Sequence, residues 1–243
     1  KQQKIKLLYL TPDNHYPTTQ TLSTKQREQI YQLAREHNVI IIEDDYDHEY
    51  HFTPQITPPM ASHDPQQLII YLSTFSKILY PGARIGFISA PTLVFEQLIK
   101  LRQTMSHKNE SMTQRALALW MTEGGFARHI LRSTKRYQSR RLFTDTLLQH
   151  HQEKSPQLGI HYTLAKSGLS IWLKLNIDCA LLAKTALKHG ILIQDENCFS
   201  DVEVANSNHL RLGFSRLSEQ EQQQGIDKLM ALANDQINTL SNA

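Results

Sequence analysis

The chain has 243 residues, of which 40% are hydrophobic and 20% charged, a composition typical of a globular protein with a substantial core. Its net charge of +3 is too small to indicate nucleic-acid or anionic-membrane binding by itself. The two cysteines exclude a disulfide scaffold, and their scarcity fits a reducing compartment, so we expect a cytoplasmic protein. No apolar run approaches the roughly 18 to 20 residues that a membrane span needs.

The first half of the chain alternates strand-like and helix-like segments. Residues 5–10 read as a strand from the outset, which predicts that the chain begins within a fold. Ser23 and Gln26 predict a capping box at the start of an amphipathic helix over residues 25–38. Because continuous apolar strands alternating with a helix are typical of sheets covered on both faces, we expect an α/β domain with a largely parallel sheet. The further predicted strands are 39–45, 68–77 and 84–91.

The second half begins as helices and ends as a smaller α/β unit. Helical spacing predicts helices over residues 92–106 and 111–125, and one long helix over 126–152. The smaller unit contains a helix over 178–190, with Gly190 as a candidate C-cap. We therefore predict two structural lobes joined by a long helix. The remaining predicted elements are strands at 168–175, 191–194 and 209–215 and a closing helix at 218–237.

The segment STFSKILYPGARIGF, residues 73–87, combines the groups that a phosphate-bearing carbonyl cofactor needs. Lysine is the side chain that routinely supplies an amine for a Schiff base, and Lys77 follows a predicted strand. A dianionic phosphate needs hydroxyls, backbone N–H groups and the planar donors of an arginine. Thr74 and Ser76 precede the lysine, and Arg84 follows a turn that would bring the chain back to them.

The segment EDDYDHEY, residues 43–50, offers a carboxylate for a cofactor ring. A buried anion at a pyridine nitrogen keeps that nitrogen protonated and makes the ring an electron sink. Asp44 lies at the end of a predicted strand, where ligands collect in parallel sheets. Tyr46, two residues later, would place a phenol at the ring hydroxyl and help to lower the pKa of the imine.

These segments, with NHLRLGFSRLSEQEQQQGI near the C-terminus, resemble the fold-type I aminotransferase family. More narrowly, they resemble the aminotransferase-like domain of the MocR branch of GntR-type transcriptional regulators. The loop TPDNHYPT and the arginine-rich FARHILRSTKRYQSRR match the same branch, so the resemblance covers nearly the whole chain. It implies that residues 1–124 are the C-terminal part of a large cofactor-binding domain, 125–152 a linking long helix and 153–243 a small C-terminal domain.

By this resemblance the cofactor is pyridoxal 5′-phosphate, and Lys77 forms the internal aldimine with it. Asp44 matches the partner of the pyridine nitrogen, and Tyr46 matches the phenol beside the ring hydroxyl. Arg211, in HLRLGF, matches the arginine that binds the carboxylate of a substrate or effector. The phosphate cup is matched by Thr74, Ser76 and Arg84.

The sequence departs from the family pattern in one loop and lacks parts that relatives carry. Relatives usually have a histidine where Asn14 stands and a glycine where Thr19 stands. Family members also carry an earlier half of the large domain, and regulators carry before it a winged helix-turn-helix domain. Neither is present in these residues, so DNA would be bound only through that absent domain. The resemblance further implies a homodimer that binds a small amino compound.

Plainer interpretations of the same residues stay open. A single lysine at a strand end is usually solvated, and paired hydroxyls usually form turns. The acidic run offers metal ligands, but adjacent acids on a strand point to opposite faces, so we expect no metal and regard Asp45, Asp47 and Glu49 as solvated or structural. The helical stripe Arg128, Arg132, Arg136 and Arg140 is either a DNA contact or, as we favour, a solvated face or domain contact.

Three functions are compatible with these residues. The first is the effector-sensing domain of a pyridoxal-phosphate-dependent transcriptional regulator. The second is a working aminotransferase in which Lys77 acts as general acid and base and Asp44 stabilises the carbanion. The third is a carrier or scaffold domain with a vestigial site. The first two need the same residues around the cofactor, so the sequence before Lys1 is what would separate them.

Overall fold

The computed structural model describes residues 4–105, 111–164, 166–202 and 204–241. The chain forms two compact units, the first made of residues 1–16 and 20–134 and the second of residues 17–19 and 135–243. The division falls inside a 30-residue helix, Gly125–Lys154, which confirms the predicted long helix. The domain boundaries that the resemblance implies, at residues 124 and 152, stay a prediction.

The first unit contains a four-stranded sheet with strand order β1-β2-β3-β4. Strands β1, β2 and β3 pair in parallel, and β4 pairs antiparallel to β3, so the expectation of a mostly parallel sheet is confirmed. Its elements in chain order are β1 (Leu7–Leu10), α1 (Thr24–His37), β2 (Ile40–Asp45), β3 (Ile69–Thr74), β4 (Gly86–Ser89), α2 (Thr92–Met105), α3 (Met112–Thr122) and the beginning of α4 (Gly125–Lys154).

Helix α1 covers one face of this sheet. The predicted capping box is present, because the Ser23 side chain accepts from the Gln26 backbone and the Gln26 side chain accepts from the Ser23 backbone. Along β2, residues alternate between buried and half-buried, with Ile41, Glu43 and Asp45 on the buried side. Ile41 packs in one core cluster with helix residues such as Tyr31. The intervening residues of β2, including Asp44, therefore face away from α1.

The second unit contains an antiparallel sheet with strand order β5-β6-β8-β7. The predicted strand at 191–194 is wrong over most of its length, because strand pairing begins only at Gln194. The Ile191 N–H instead donates to the Ala186 carbonyl at the end of the preceding helix. The elements are the remainder of α4, β5 (His161–Tyr162), β6 (Ser170–Lys174), α5 (Cys179–Lys188), β7 (Gln194–Asp195), β8 (His209–Gly213) and α6 (Glu219–Ser241).

In the described ranges, no helix has both the length and the apolar character needed to cross a membrane.

Candidate functional site

The candidate site lies where β2 and β3 end side by side. Asp44 pairs with Leu72, and Asp45 pairs with Ser73, in the parallel register of the two strands. Because alternate residues of a strand share a face, Thr74 lies on the same face as Leu72 and Asp44. This is the face opposite to α1. The carboxyl ends of parallel strands are where open α/β sheets bind ligands, so the geometry places Asp44 and Thr74 at such an edge.

The two predicted hydroxyls lie next to each other just after β3. The Thr74 hydroxyl donates to the Ser76 hydroxyl at 2.9 Å, and the Ser76 N–H donates to the Thr74 hydroxyl at 3.1 Å. The loop that follows returns to the same place, because the Phe75 N–H donates to the Ile85 carbonyl at 3.0 Å. The Thr74 hydroxyl oxygen also lies 3.3 Å from the Ile85 carbonyl oxygen. The predicted turn therefore brings the chain back to the hydroxyl pair.

Arg84 adjoins this closed loop in an uncommon backbone conformation. Its φ of 48° and ψ of 42° lie in the left-handed region, where a non-glycine residue costs on the order of 1 kcal/mol or more. The guanidinium-bearing side chain is exposed and borders a groove of about 800 Å³, formed with β4 and α2. Such strain is concentrated at functional positions. Arg84 immediately precedes Ile85, whose carbonyl oxygen lies within hydrogen-bond distance of the Thr74 hydroxyl.

Lys77 extends from the turn after β3 as an exposed side chain. Its ammonium lies 5.8 Å from the centroid of the Tyr46 ring, within the range of a cation–π contact. The Tyr46 hydroxyl donates to the Asn14 backbone carbonyl at 3.1 Å. The predicted amine and the predicted phenol therefore lie close together, at the end of β3 and of β2 respectively.

A buried carboxylate lies beside this pair. Asp47 is only 3% exposed, and its Oδ2 accepts a hydrogen bond from the Asn14 amide at 2.6 Å. Burial is the main reason that the pKa of Asp47 is raised to about 7, with the nearby carboxylates of Asp45 and Asp13 adding to the rise. The Asn14 hydrogen bond and the positive charge of Lys77 act in the opposite direction.

Two further acidic residues of the segment, Asp45 and Glu43, have structural partners. Asp45 is buried, accepts from the Tyr71 hydroxyl at 2.9 Å and lies 2.8 Å from a ring nitrogen of His48. Glu43 accepts the Met60 N–H, together with that of the next residue, each at 2.8 Å. Asp45 and Asp47 are therefore buried and structural rather than solvated. Over the described ranges, no group of three or more histidine, cysteine or acidic residues is arranged to hold a metal ion.

The sequence did not identify Tyr9 as part of this site. The Tyr9 hydroxyl donates a hydrogen bond to the Asp44 carboxylate. The pKa of this phenol is raised to about 12, first by partial burial and then by the hydrogen bond and negative charge of the Asp44 carboxylate. No sequence signal joins the two residues, because they are 35 positions apart and meet only through the β1–β2 register.

Arg211 lies in the second unit, on β8. It is half-buried, pairs in register with Trp172 of β6 and Gln194 of β7, and borders a cavity of about 110 Å³. The Trp172 ring stacks on His209, with centroids 5.2 Å apart and planes at 11°. The role predicted for Arg211 stays a prediction.

The basic stripe of α4 has different surroundings along its length. Arg128, Arg132 and Arg136 are exposed, as a solvated face requires. Arg140 is half-buried and donates to the Ser215 carbonyl.

The chain matches a known protein family over almost its entire length. A family model for aminotransferase class I and II matches residues 1–229. The chain belongs to the aminotransferase class I and II family. This confirms the resemblance and the fold class that were inferred from the motifs.

Relatives of this aminotransferase-family chain include both regulators and enzymes. It is 31% identical to the uncharacterized HTH-type transcriptional regulator YdfD of Bacillus subtilis, over 92% of the chain and 45% of that protein. It is 30% identical to aromatic-amino-acid aminotransferase 1 of Thermococcus litoralis, over 93% of the chain and 54% of that protein. The chain is thus an aminotransferase-like domain homologous to MocR/GntR-type regulators, and it spans about half the length of these curated relatives.

A solved structure supports the fold and the cofactor class. The kynurenine aminotransferase of Pyrococcus horikoshii, solved with PMP, superposes with a TM-score of 0.84 at 26% identity, over 96% of this chain and 57% of that one. Family membership and cofactor-complexed neighbours support pyridoxal phosphate as the cofactor of the domain. The donor set fits this group, since it joins an exposed amine at Lys77, a hydroxyl pair near Arg84 and a carboxylate on one sheet face.

Proposed function

We propose that this aminotransferase-family domain binds pyridoxal 5′-phosphate and senses a small amino compound for a MocR-type transcriptional regulator. The observation that carries the proposal is the match to helix-turn-helix regulators over more than nine-tenths of the chain, as for YdfD at 92%. In this proposal DNA is bound by a separate domain, the protein acts in the cytoplasm, and two copies form a homodimer.

Each proposed role follows from the chemistry of the residue concerned. Lys77 holds the cofactor covalently through its exposed amine. Asp44 provides the negative charge that keeps the ring nitrogen protonated, and Tyr46 is the phenol beside the ring hydroxyl. When bound, the cofactor supplies a carbonyl that exchanges amines and a ring that withdraws electrons. The phosphate is bound by Thr74, Ser76 and Arg84.

Loss of the amine tests the central assignment. In the full-length protein incubated with pyridoxal 5′-phosphate, we expect a visible absorption band from the lysine-bound cofactor. Lys77→Ala should abolish this band, because in this proposal the Lys77 amine makes the covalent bond to the cofactor. Lys100→Ala, which removes an exposed lysine from α2, serves as the matched control and should keep the band. An unchanged spectrum in Lys77→Ala would reject the proposed site.

Arg211 is proposed to bind the carboxylate of the effector. We expect Arg211→Ala to retain the cofactor but to weaken binding of L-phenylalanine or L-glutamate by about tenfold or more, since charged hydrogen bonds contribute roughly 1.5 to 3 kcal/mol. Binding of phenethylamine, which lacks the carboxylate, should not change. Arg216→Ala, an exposed arginine shortly after β8, is the control. Equal losses for the amino acids and for phenethylamine would contradict the assignment.

A working aminotransferase is the second candidate, and the relative from Thermococcus litoralis favours it. The two functions differ in what an amino acid does after binding. An enzyme should transfer the amino group to a 2-oxo acid over many turnovers, whereas a regulator should instead change its affinity for operator DNA. Measuring both on the full-length protein decides between them. A domain with a vestigial site should show neither transfer of the amino group nor a change in affinity for operator DNA. Lys77→Ala should then behave as the wild type does in both measurements.

A further inference from the structure

The phenol of Tyr9 is the only group outside the predicted site residues that the described structure shows bonded to Asp44. It lies on β1, whose register sets Tyr9 opposite Ile42 of β2. Alternate residues share a face, so Tyr9, Ile42 and Asp44 point to the same side of the sheet. That side is the one on which Thr74 lies, facing away from α1. Tyr9, Asp44 and Thr74 thus lie on one face in a diagonal row, because Asp44 is two residues beyond the register partner of Tyr9 and Thr74 is two residues beyond that of Asp44.

We propose that Tyr9 is a positioning residue that fixes the Asp44 carboxylate for the cofactor ring. This inference rests on the proposed function, because it gives Asp44 the ring nitrogen as its second partner. The Tyr9 hydroxyl donates to Oδ2 of Asp44, which leaves Oδ1 as the oxygen for another donor. A carboxylate held by one donor loses less freedom when it meets a second one, so the hydrogen bond preorganises the site.

Tyr9 stays a hydrogen-bond donor to Asp44 through the physiological range, because the pKa of its hydroxyl is raised to about 12. Leu72, the cross-strand partner of Asp44 on β3, is apolar and cannot replace this donor. The charged and titratable groups next to Asp44 in the same segment are Glu43, Asp45, Tyr46 and Asp47, and Lys77 follows the adjacent strand.

Removing the hydroxyl should therefore have two measurable effects. Tyr9→Phe should weaken the binding of pyridoxal 5′-phosphate by about tenfold, as expected for a hydrogen bond to a charged group. It should also shift the pH at which the visible band of the lysine-bound cofactor is half lost, because the hydrogen bond from Tyr9 draws on the Asp44 negative charge that would otherwise face the ring nitrogen.

The experiment uses the full-length protein and a matched control. Tyr31→Phe removes a phenol that donates to Asp64 at 2.7 Å, a bond of the same kind at a distance from the row. Both readouts should stay at the wild-type value in Tyr31→Phe. In an Asp44→Asn background, where the carboxylate is gone, adding Tyr9→Phe should change neither readout further.

The outcomes separate this inference from the proposed function. A wild-type protein that shows no visible band with the cofactor would reject the proposed function. A wild-type band together with an unaltered affinity and pH midpoint in Tyr9→Phe would overturn the inference alone. It would equally be overturned by effects of Tyr9→Phe that persist in full in the Asp44→Asn background, because Tyr9 would then act by another route. Tyr9 is 58% exposed, so its replacement by phenylalanine leaves the core intact.

Discussion

At the scale of single residues, the loop after β1 is tied to the loop after β2 by Asn14. Its side chain donates to Asp47, and its backbone carbonyl accepts from Tyr46. The sequence identified Asn14 as a departure from the family's histidine, and the structure shows that an amide at this position satisfies a buried carboxylate. Thr19, the other departure, has a φ of 57°, in the region that glycine adopts without strain. This backbone conformation explains why relatives usually have a glycine at this position.

Asp47 gives a prediction about pH. Its pKa in the folded protein, about 7, lies above its ordinary value of 3.8, so the protonated form stabilises the fold. That contribution is complete below about pH 4 and is lost as the pH rises through about 7. Asp47→Asn is neutral throughout, so its free energy of unfolding relative to wild type should increase between pH 5 and pH 8, by on the order of 1 to 3 kcal/mol.

Urea denaturation of the full-length protein at several pH values measures this difference. The exposed Asp201→Asn provides the control and should show a constant offset from wild type. A difference in the free energy of unfolding between Asp47→Asn and wild type that stays level or narrows as the pH rises would show that folding does not raise the pKa of Asp47.

At the scale of secondary-structure elements, the sequence predicts what local chemistry determines. The capping box of α1, the long helix α4 and the strands with continuous apolar runs follow from residues that are neighbours in the chain. The predicted strand at 68–77 ends earlier, at Thr74, because the Phe75 N–H bonds back to the Ile85 carbonyl and its own carbonyl accepts from Ile78 and Leu79. That turn depends on a contact ten residues away, which periodicity does not report.

In the candidate site too, the sequence predicted the residues that are close together in the chain and missed one that is distant. Lys77, Thr74, Ser76 and Arg84 were found because they occupy one short segment, whereas Tyr9 was missed. Its partner Asp44 is reached only through strand register, which a single sequence does not fix. The strand expected at 191–194 failed for a related reason, since its first N–H completes the end of α5.

The β3–β4 hairpin gives a prediction at this scale. Gly86 pairs with Thr74, and a Cβ added at Gly86 would lie 2.7 Å from the Ser73 carbonyl oxygen. Gly86→Ala should therefore push β4 away from the hydroxyl-bearing strand end, with a loss of about 1 to 3 kcal/mol in the free energy of unfolding. Because Thr74 would move with the hairpin, the affinity for pyridoxal 5′-phosphate should fall as well.

Gly225→Ala is the matched control for that change. Gly225 lies in α6, and a Cβ built there has no atom within 4 Å other than those of its own stretch of helix, so alanine should stabilise the helix by up to about 1 kcal/mol. Denaturant midpoints and cofactor titrations of the two full-length variants provide the comparison. A Gly86→Ala protein with wild-type stability and affinity would mean that the hairpin tolerates the added carbon and does not hold Thr74 in place.

At the scale of the whole chain, the predicted chemistry is divided between two compact units. The cofactor residues of the proposal all lie in the first unit, and Arg211 lies in the second. A ligand shifts the equilibrium between two states of a protein only if its contacts differ between those states. In the proposed function the cofactor binds to residues of the first unit, and Arg211 of the second unit binds the effector carboxylate.

Hydrogen exchange followed by mass spectrometry can test this division in the full-length protein. Pyridoxal 5′-phosphate at a hundred times its dissociation constant contributes about 2.7 kcal/mol, so amides that exchange only after the cofactor leaves should slow by about a hundredfold. We expect this slowing at the ends of β2 and β3, around Asp44 and Thr74, and not in β8. Adding L-phenylalanine should then slow exchange in β8 in the wild type but not in Arg211→Ala. Equal protection of β8 by the cofactor alone would contradict the assignment of Arg211 to the effector, because the second unit would then respond before any carboxylate is present.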